Sequence, residues 1–281
     1  MARKVLLIGI SLALICSIGI WAGGQGEQGG AAARTEAAAS TAMTHESPLL
    51  TRMVEEGLIP PLAERLPVPD DIYVVEPNDQ IGRYGGTART FNAAGENRPY
   101  TAMHLMGGHG PFRASRKGYP GVPHVYKSYE VNDDFTEWTF HLREGLKYSD
   151  GYPLTTENML LYWKHDRANP DINPSIISAD VVIEDRAVTF YNEMGQGRTV
   201  RKEAVDDYTL RYTSDISYPT LIHHLSHPHN APEYFSTTPM HFMMQFHPDA
   251  IGLEAAEELA EKAGFDEWFQ LYNKFAANQG Q

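Results

Sequence analysis

Trp138-Thr139-Phe140-His141-Leu142-Arg143-Glu144-Gly145-Leu146-Lys147-Tyr148-Ser149-Asp150-Gly151-Tyr152-Pro153-Leu154-Thr155-Thr156-Glu157-Asn158 carries the clearest local code in the chain. Trp138, Phe140 and Leu142 alternate with Thr139 and His141, the period of a half-buried strand. Asp150-Gly151 is a turn dipeptide, because aspartate bonds its own backbone and glycine accepts a left-handed conformation. Thr155 or Thr156 then offers an N-cap oxygen. Met159, Leu160, Tyr162 and Trp163 give an apolar side to a helix running to about His165. Strand, turn and capped helix serve architecture, and none of their residues is an obvious ligand group. Trp138 and Trp163 sit on amphipathic elements and belong to the core.

Downstream, strands are predicted at 179–184, 187–191 and 208–213, and helices at 218–226, 239–246, 253–263 and 265–276. Upstream, residues 92–124 are rich in Gly, Asn, His and Pro and read mostly as loop. Gly85-Gly86 precedes a short strand candidate from Thr87 to Phe91. Pro60, Pro61, Pro67 and Pro69 enforce an extended path to about Pro77. Before them Ser47-Pro48 reads as an N-cap with proline at the first helical position. Leu49, Leu50, Met53 and Val54 share a face of that helix and Gly57 ends it. The fold class is mixed α/β in irregular order, without strict βαβ alternation and without an internal repeat.

Residues 23–45 are mainly Gly, Gln, Ala, Ser and Thr and read as a flexible linker, too poor in apolar surface to offset chain entropy. Residues 1–22 read as a signal peptide: Arg3 and Lys4, an apolar run from Val5 to Trp21, then small residues Ala22, Gly23 and Gly24. Cleavage after Ala22 is the preferred reading. Lipidation at Cys16 ranks behind it, because Ile15 is bulky for the position before such a cysteine. A retained anchor is disfavoured by its shortness and by Gly9 and Gly19.

The 281 residues suffice for one large or two modest domains, and 42% hydrophobic with 21% charged residues is a globular composition. A formal charge of −13 repels phosphate backbones and argues against a general nucleic-acid binder. A single cysteine excludes an intramolecular disulfide framework, so an exported form must rely on its core. No G-x-S-x-G elbow and no Walker phosphate loop occurs.

His223, His224, His227 and His229 are the densest set of metal-ligand types. Pro228 and a helix end separate them, so the four cannot share one helical face, and no metal site is expected there. The alternative they leave open is a secreted metal-dependent hydrolase. Asp133-Asp134 and Asp206-Asp207 are acid pairs in turn contexts and are read as structure breakers.

The 138–158 stretch resembles the signature of the family 5 extracellular solute-binding proteins, the oligopeptide- and dipeptide-binding class of ABC importers. That pattern reads roughly W-T-F-x-L-R-x-G-x-K-F-S-D-G-x-P-L-T-A-x-D. Tyr148, Thr156 and Asn158 depart from it, without changing the chemistry expected of the stretch. Tyr84-Gly85-Gly86-Thr87-Ala88-Arg89 resembles the family's first core strand, and Val205-Asp206-Asp207-Tyr208-Thr209-Leu210-Arg211-Tyr212 the strand that re-enters its first lobe. Phe246-His247-Pro248 and Gly264-Phe265-Asp266-Glu267-Trp268 are similar to a large-ligand branch.

The resemblance implies a periplasmic-binding-protein-like two-lobe architecture with an extra domain. Residues 46–92 would begin lobe I, 93–202 would form the extra domain, and 203–281 would continue lobe I. Members being about twice this length, it also implies a C-terminally truncated member lacking the second lobe. The implied function is capture of oligopeptides or oligosaccharides outside the inner membrane for ABC importer permease subunits. That means no catalysis, no cofactor and a periplasmic location, free or membrane-anchored. The loop leaving the first strand opens into the family's cleft, which makes Thr90, Phe91, Asn92, Glu96 and Asn97 the candidate ligand contacts. A fragment acting only through protein contacts is the further alternative.

Overall fold

The computed structural model describes residues 46–74, 80, 82–87, 110–115, 118–175, 180–191, 197–226 and 238–278. The signal segment, the linker, all but Thr87 of the strand expected at 87–91, and His227 and His229 lie outside the described residues. Helix α1 (Pro48–Glu55) is capped as its sequence requires: the Ser47 hydroxyl accepts from the Leu50 amide at 3.3 Å, and Pro48 occupies the first turn. Leu50, Met53 and Val54 are half-buried, whereas Leu49 is exposed. A short helix, α2 (Leu62–Arg65), and a 3₁₀ turn at Pro69–Asp71 complete this N-terminal strap.

Part of the stretch expected as loop is a hairpin. β1 (Phe112–Ser115) and β2 (Gly118–Pro123) pair antiparallel with an irregular register between Arg113 and Ser115. Gly and Pro weaken the strand signal there, and tertiary packing overrides it. Gly121 shows why: a Cβ on it would lie 1.8 Å from the Ser226 hydroxyl.

The centre of the structure is a six-stranded antiparallel sheet in the order β3-β4-β8-β7-β6-β5. Its strands are β3 (Tyr126–Val131), β4 (Glu137–Leu142), β5 (Val181–Ile183), β6 (Ala187–Phe190), β7 (Val200–Asp206) and β8 (Thr209–Ser214). The boundary expected between residues 202 and 203 falls within β7, so chain on both sides of it shares one sheet. The alternation in β4 holds: Trp138, Phe140 and Leu142 are buried, and Thr139 and His141 are half-exposed. The same pleat operates in β7, where Val200, Lys202 and Ala204 point inward. The charged run Arg201-Lys202-Glu203 hides that strand from a hydrophobic reading. Lys202 is 1% exposed, its ammonium 4.8 Å from the Phe190 ring centroid and 5.5 Å from that of Trp163.

One face of the sheet is closed by α3 (Thr156–Leu161), by the π-helical turns Tyr162–Arg167 that continue it, and by α4 (Leu221–Leu225). Met159, Leu160, Trp163, Leu221, Ile222 and Leu225 complete that core. Thr155 occupies the N-cap of α3 without a capping side-chain bond. The Thr156 hydroxyl instead donates to the Asp206 carbonyl, which ties the helix start to β7.

A second core lies in the C-terminal helices α5 (Met240–Met243), α6 (Pro248–Ile251), α7 (Leu253–Ala263) and α8 (Trp268–Asn278). Met240, Met243, Ala256, Trp268 and Tyr272 are its buried members. None of the described helices is long and apolar enough to cross a membrane.

Candidate functional site

The five candidate ligand contacts, Thr90, Phe91, Asn92, Glu96 and Asn97, lie outside the described residues. The described chain resumes at Gly110. Gly110 is buried, and the His124 ring donates from Nδ1 to its carbonyl at 2.8 Å. The Tyr126 amide donates to the Pro111 carbonyl at 3.1 Å. Phe112, 1% exposed, inserts among Tyr126, Tyr129 and Phe140 with ring centroids 5.5 to 6.1 Å away.

A polar knot sits beside His124. The Asp71 carboxylate, nearly buried, accepts from Lys127 Nζ at 3.1 and 3.2 Å and from the Glu144 amide. The Arg143 guanidinium donates to the Asp71 carbonyl at 2.9 Å and to the His124 carbonyl, and lies 5.1 Å from the Tyr73 ring centroid. Burial pulls Arg143 below its ordinary value, opposed by the Asp71 carboxylate and Tyr73. Gly145 allows the strap to close here. It holds φ at +80°, and a Cβ would lie 3.0 Å from the Val68 nitrogen, so only glycine fits without strain. These bonds spend the donors on backbone carbonyls and one carboxylate. Their chemistry is anchorage of the strap to β3 and to the chain that follows β4.

The three departures from the family pattern prove to be contacts. Asn158 is 3% exposed; its Oδ1 accepts from the Met240 amide at 3.1 Å, and its Nδ2 donates to the Thr238 carbonyl at 2.9 Å and to the Tyr148 hydroxyl. The Tyr148 hydroxyl donates to the same Thr238 carbonyl at 3.2 Å. An ionised Asp at 158 has no donor, a Phe at 148 has no hydroxyl, and an Ala at 156 could not reach Asp206. The expectation that these departures leave the chemistry unchanged is thereby corrected. The signal was readable in their gain of donors, but not their targets, which lie 80 to 82 residues away for Asn158.

His223 and His224 are neighbours on α4, their rings 6.3 Å apart and edge to face, and the His224 ring lies 5.5 Å from Tyr218. Another trio converges that the sequence did not single out. His165, His247 and Asp249 each place a ligand-type atom within 4.8 Å of the others. Burial holds His247 below the ordinary histidine range, partly offset by the Asp249 carboxylate.

The antiparallel sheet, its helical cover and the C-terminal helices are shared with a class of periplasmic solute receptors. A solved structure of the oligopeptide-binding protein OppA superposes with a TM-score of 0.64 at 30% identity, covering 82% of this chain and 32% of that one. Residues 121–269 match the model of the bacterial extracellular solute-binding proteins, family 5 (middle region), and the chain belongs to that family. The periplasmic alpha-galactoside-binding protein of Rhizobium meliloti is 26% identical over 219 residues, 72% of this chain and 29% of that protein. The periplasmic oligopeptide-binding protein OppA of Escherichia coli is 29% identical over 120 residues, 41% of this chain and 21% of that protein. The chain thus spans less than a third of the length of these relatives. The family consists of solute-binding proteins rather than enzymes.

Proposed function

We propose that this chain serves an ABC-type importer as substrate-binding component, capturing oligopeptides or oligosaccharides outside the inner membrane without making or breaking a bond. The observation that carries this reading is the family match across 121–269, supported by the fold shared with an oligopeptide-binding protein. Thr90, Phe91, Asn92, Glu96 and Asn97 are the ligand contacts in this reading: Asn and Glu bond peptide amides or sugar hydroxyls, and Phe91 stacks. The rigid seating of Gly110 and Phe112 supports it, because a binding loop gains from a fixed exit. Residues 46–92 begin one lobe in this reading, and because β7 and β8 share a sheet with β3 to β6, residues 203–214 group with the unit that holds 126–202 rather than with a separate lobe. Export to the periplasm follows from residues 1–22, and the permease subunits of the importer are the partners.

Uptake of labelled tri- to pentapeptides and of labelled α-galactosides, with and without the gene, tests the function in the source cell. Loss of uptake of one class on deletion, restored by the gene, is the expected result. Unchanged uptake of both classes would overturn the reading. Restoration by a Phe91→Ala, Asn92→Ala double variant as fully as by the unaltered gene would remove those two residues from the site.

A further inference from the structure

His165 and His247 come from segments 82 residues apart, and both meet Asp249 on the surface of the C-terminal layer. His165 Nδ1 lies 2.8 Å from Asp249 Oδ2, and His247 Nδ1 lies 3.7 Å from the same oxygen. Ligands held at about 2.0–2.2 Å by a tetrahedral zinc-class ion stand about 3.4 Å apart. Those two separations straddle that value and the third side of the triangle lies within 4.8 Å, so side-chain rotation closes the set around an ion, with the His165 proton moving from Nδ1 to Nε2 as the ion replaces its bond to Asp249.

The histidine at the centre is already set for ligation. His247 Nε2 donates to the His165 carbonyl at 3.0 Å, which leaves Nδ1 as the lone-pair nitrogen. The Asn169 amide nitrogen, 3.2 Å from Nε2, is then only a packing neighbour. Nδ1 accepts from the Asp249 amide at 3.2 Å, a long bond that an incoming cation would displace. The rings of His165 and His247 meet edge to face at 5.4 Å. His165 is carried on the widened π-helical turns Tyr162–Arg167, and such turns recur at functional sites. The site is open on one side: the Asp249 side chain is 60% exposed and that of His165 22%, while His247 is 1% exposed at its base. Two neutral imidazoles and a carboxylate with an open fourth position suit zinc, nickel or copper far better than calcium or magnesium, which take oxygen ligands.

The geometry points to a binding site for one divalent transition-metal ion at His165, His247 and Asp249, stapling the π-helical turns 162–167 to the C-terminal helices. This goes beyond solute capture and does not depend on it. The test is calorimetric titration of Zn²⁺ and Ni²⁺ into the full, tag-free chain, with thermal melts alongside. One ion per chain and a raised melting temperature are expected. His165→Gln and Asp249→Asn should each weaken binding at least about tenfold, the loss that even outer-shell partners of a metal cause. Asp249 is exposed, so Asp249→Asn keeps the fold in far-UV dichroism and remains informative if His165→Gln does not fold. The pair His223→Gln, His224→Gln should bind as the unaltered chain does. Absence of stoichiometric binding, full affinity in Asp249→Asn, or loss of binding in the His223/His224 pair would each overturn the assignment.

Discussion

The sheet and the C-terminal helices are held by different forces. In the sheet, alternating apolar residues of β4, β6, β7 and β8 meet Met159, Leu160 and Trp163 in one continuous core. The helices have a smaller core of their own, built around Met240, Trp268 and Tyr272. What joins the two is apolar packing of Leu161, Tyr162 and Ile172 against the helical core together with a set of directional contacts. Asn158 and Tyr148 bond the chain at Thr238 and Met240. Tyr272 donates to Asp166 at 3.0 Å. His241 donates to Asp150 at 2.6 Å while stacking on Tyr152 with ring centroids 3.9 Å apart. Apolar burial tolerates small shifts, whereas a buried hydrogen bond does not, since an unmade partner costs the full desolvation penalty. The seam therefore sets the position of the helices, and the sheet core is the larger of the two.

The sharpest way to break this contrast is in the sheet. Trp138→Ala removes a ring that is 1% exposed and should cost about 3–5 kcal/mol. Urea denaturation should show both regions unfolding together, because the helices lose the surface they are tied to. An intact helical layer after loss of the sheet would show that the helices stand alone.

Asn158→Asp restores the family residue and removes the donor to Thr238. About 1–3 kcal/mol is expected, with hydrogen exchange rising in 240–278 before it rises in β4 and β8. Exchange rising equally everywhere would contradict a seam that acts on the helices. Tyr148→Phe deletes one hydroxyl from the same cluster and should cost about 0.5–1.5 kcal/mol. Because the two side chains bond each other, the double variant should lose less than the sum of the single losses.

The smallest effect is at the exposed end of the seam. The His241 hydrogen bond, with the Tyr152 amide, holds the Asp150 carboxyl below the usual carboxylate range. A lowered carboxyl stabilises the fold above the unfolded value of about 4 and loses that contribution as pH falls through the folded value. Asp150→Asn should flatten the fall in melting temperature between about pH 5 and pH 3, slightly, because the side chain is 55% exposed and screened by solvent. An unchanged acid slope would count against the pairing.

Legibility followed the range of the interaction. The strand at Trp138–Leu142, the turn at Asp150-Gly151, the Ser47 cap and the helix at Leu253–Ala263 are written in spacings of a few residues. Strand β7 was not legible, because Lys202 occupies an inward position and a charged run masks the period. The hairpin at 112–123 was not legible either, since its strands hold through packing against Ser226 and Phe140 rather than through propensity. The five candidate contacts, Thr90, Phe91, Asn92, Glu96 and Asn97, came from the family resemblance, because such residue types carry no periodicity of their own.

The sequence by itself determined the mixed α/β class, the family and the inward face of β4, since each depends on residue order over short distances. Only the tertiary structure decided that Asn158 reaches Met240, that Lys202 lies against Trp163 and Phe190, and that His165 meets His247 and Asp249. Those partners are separated by about a dozen to more than eighty residues. Their meeting depends on how sheet and helices pack, which no local spacing encodes.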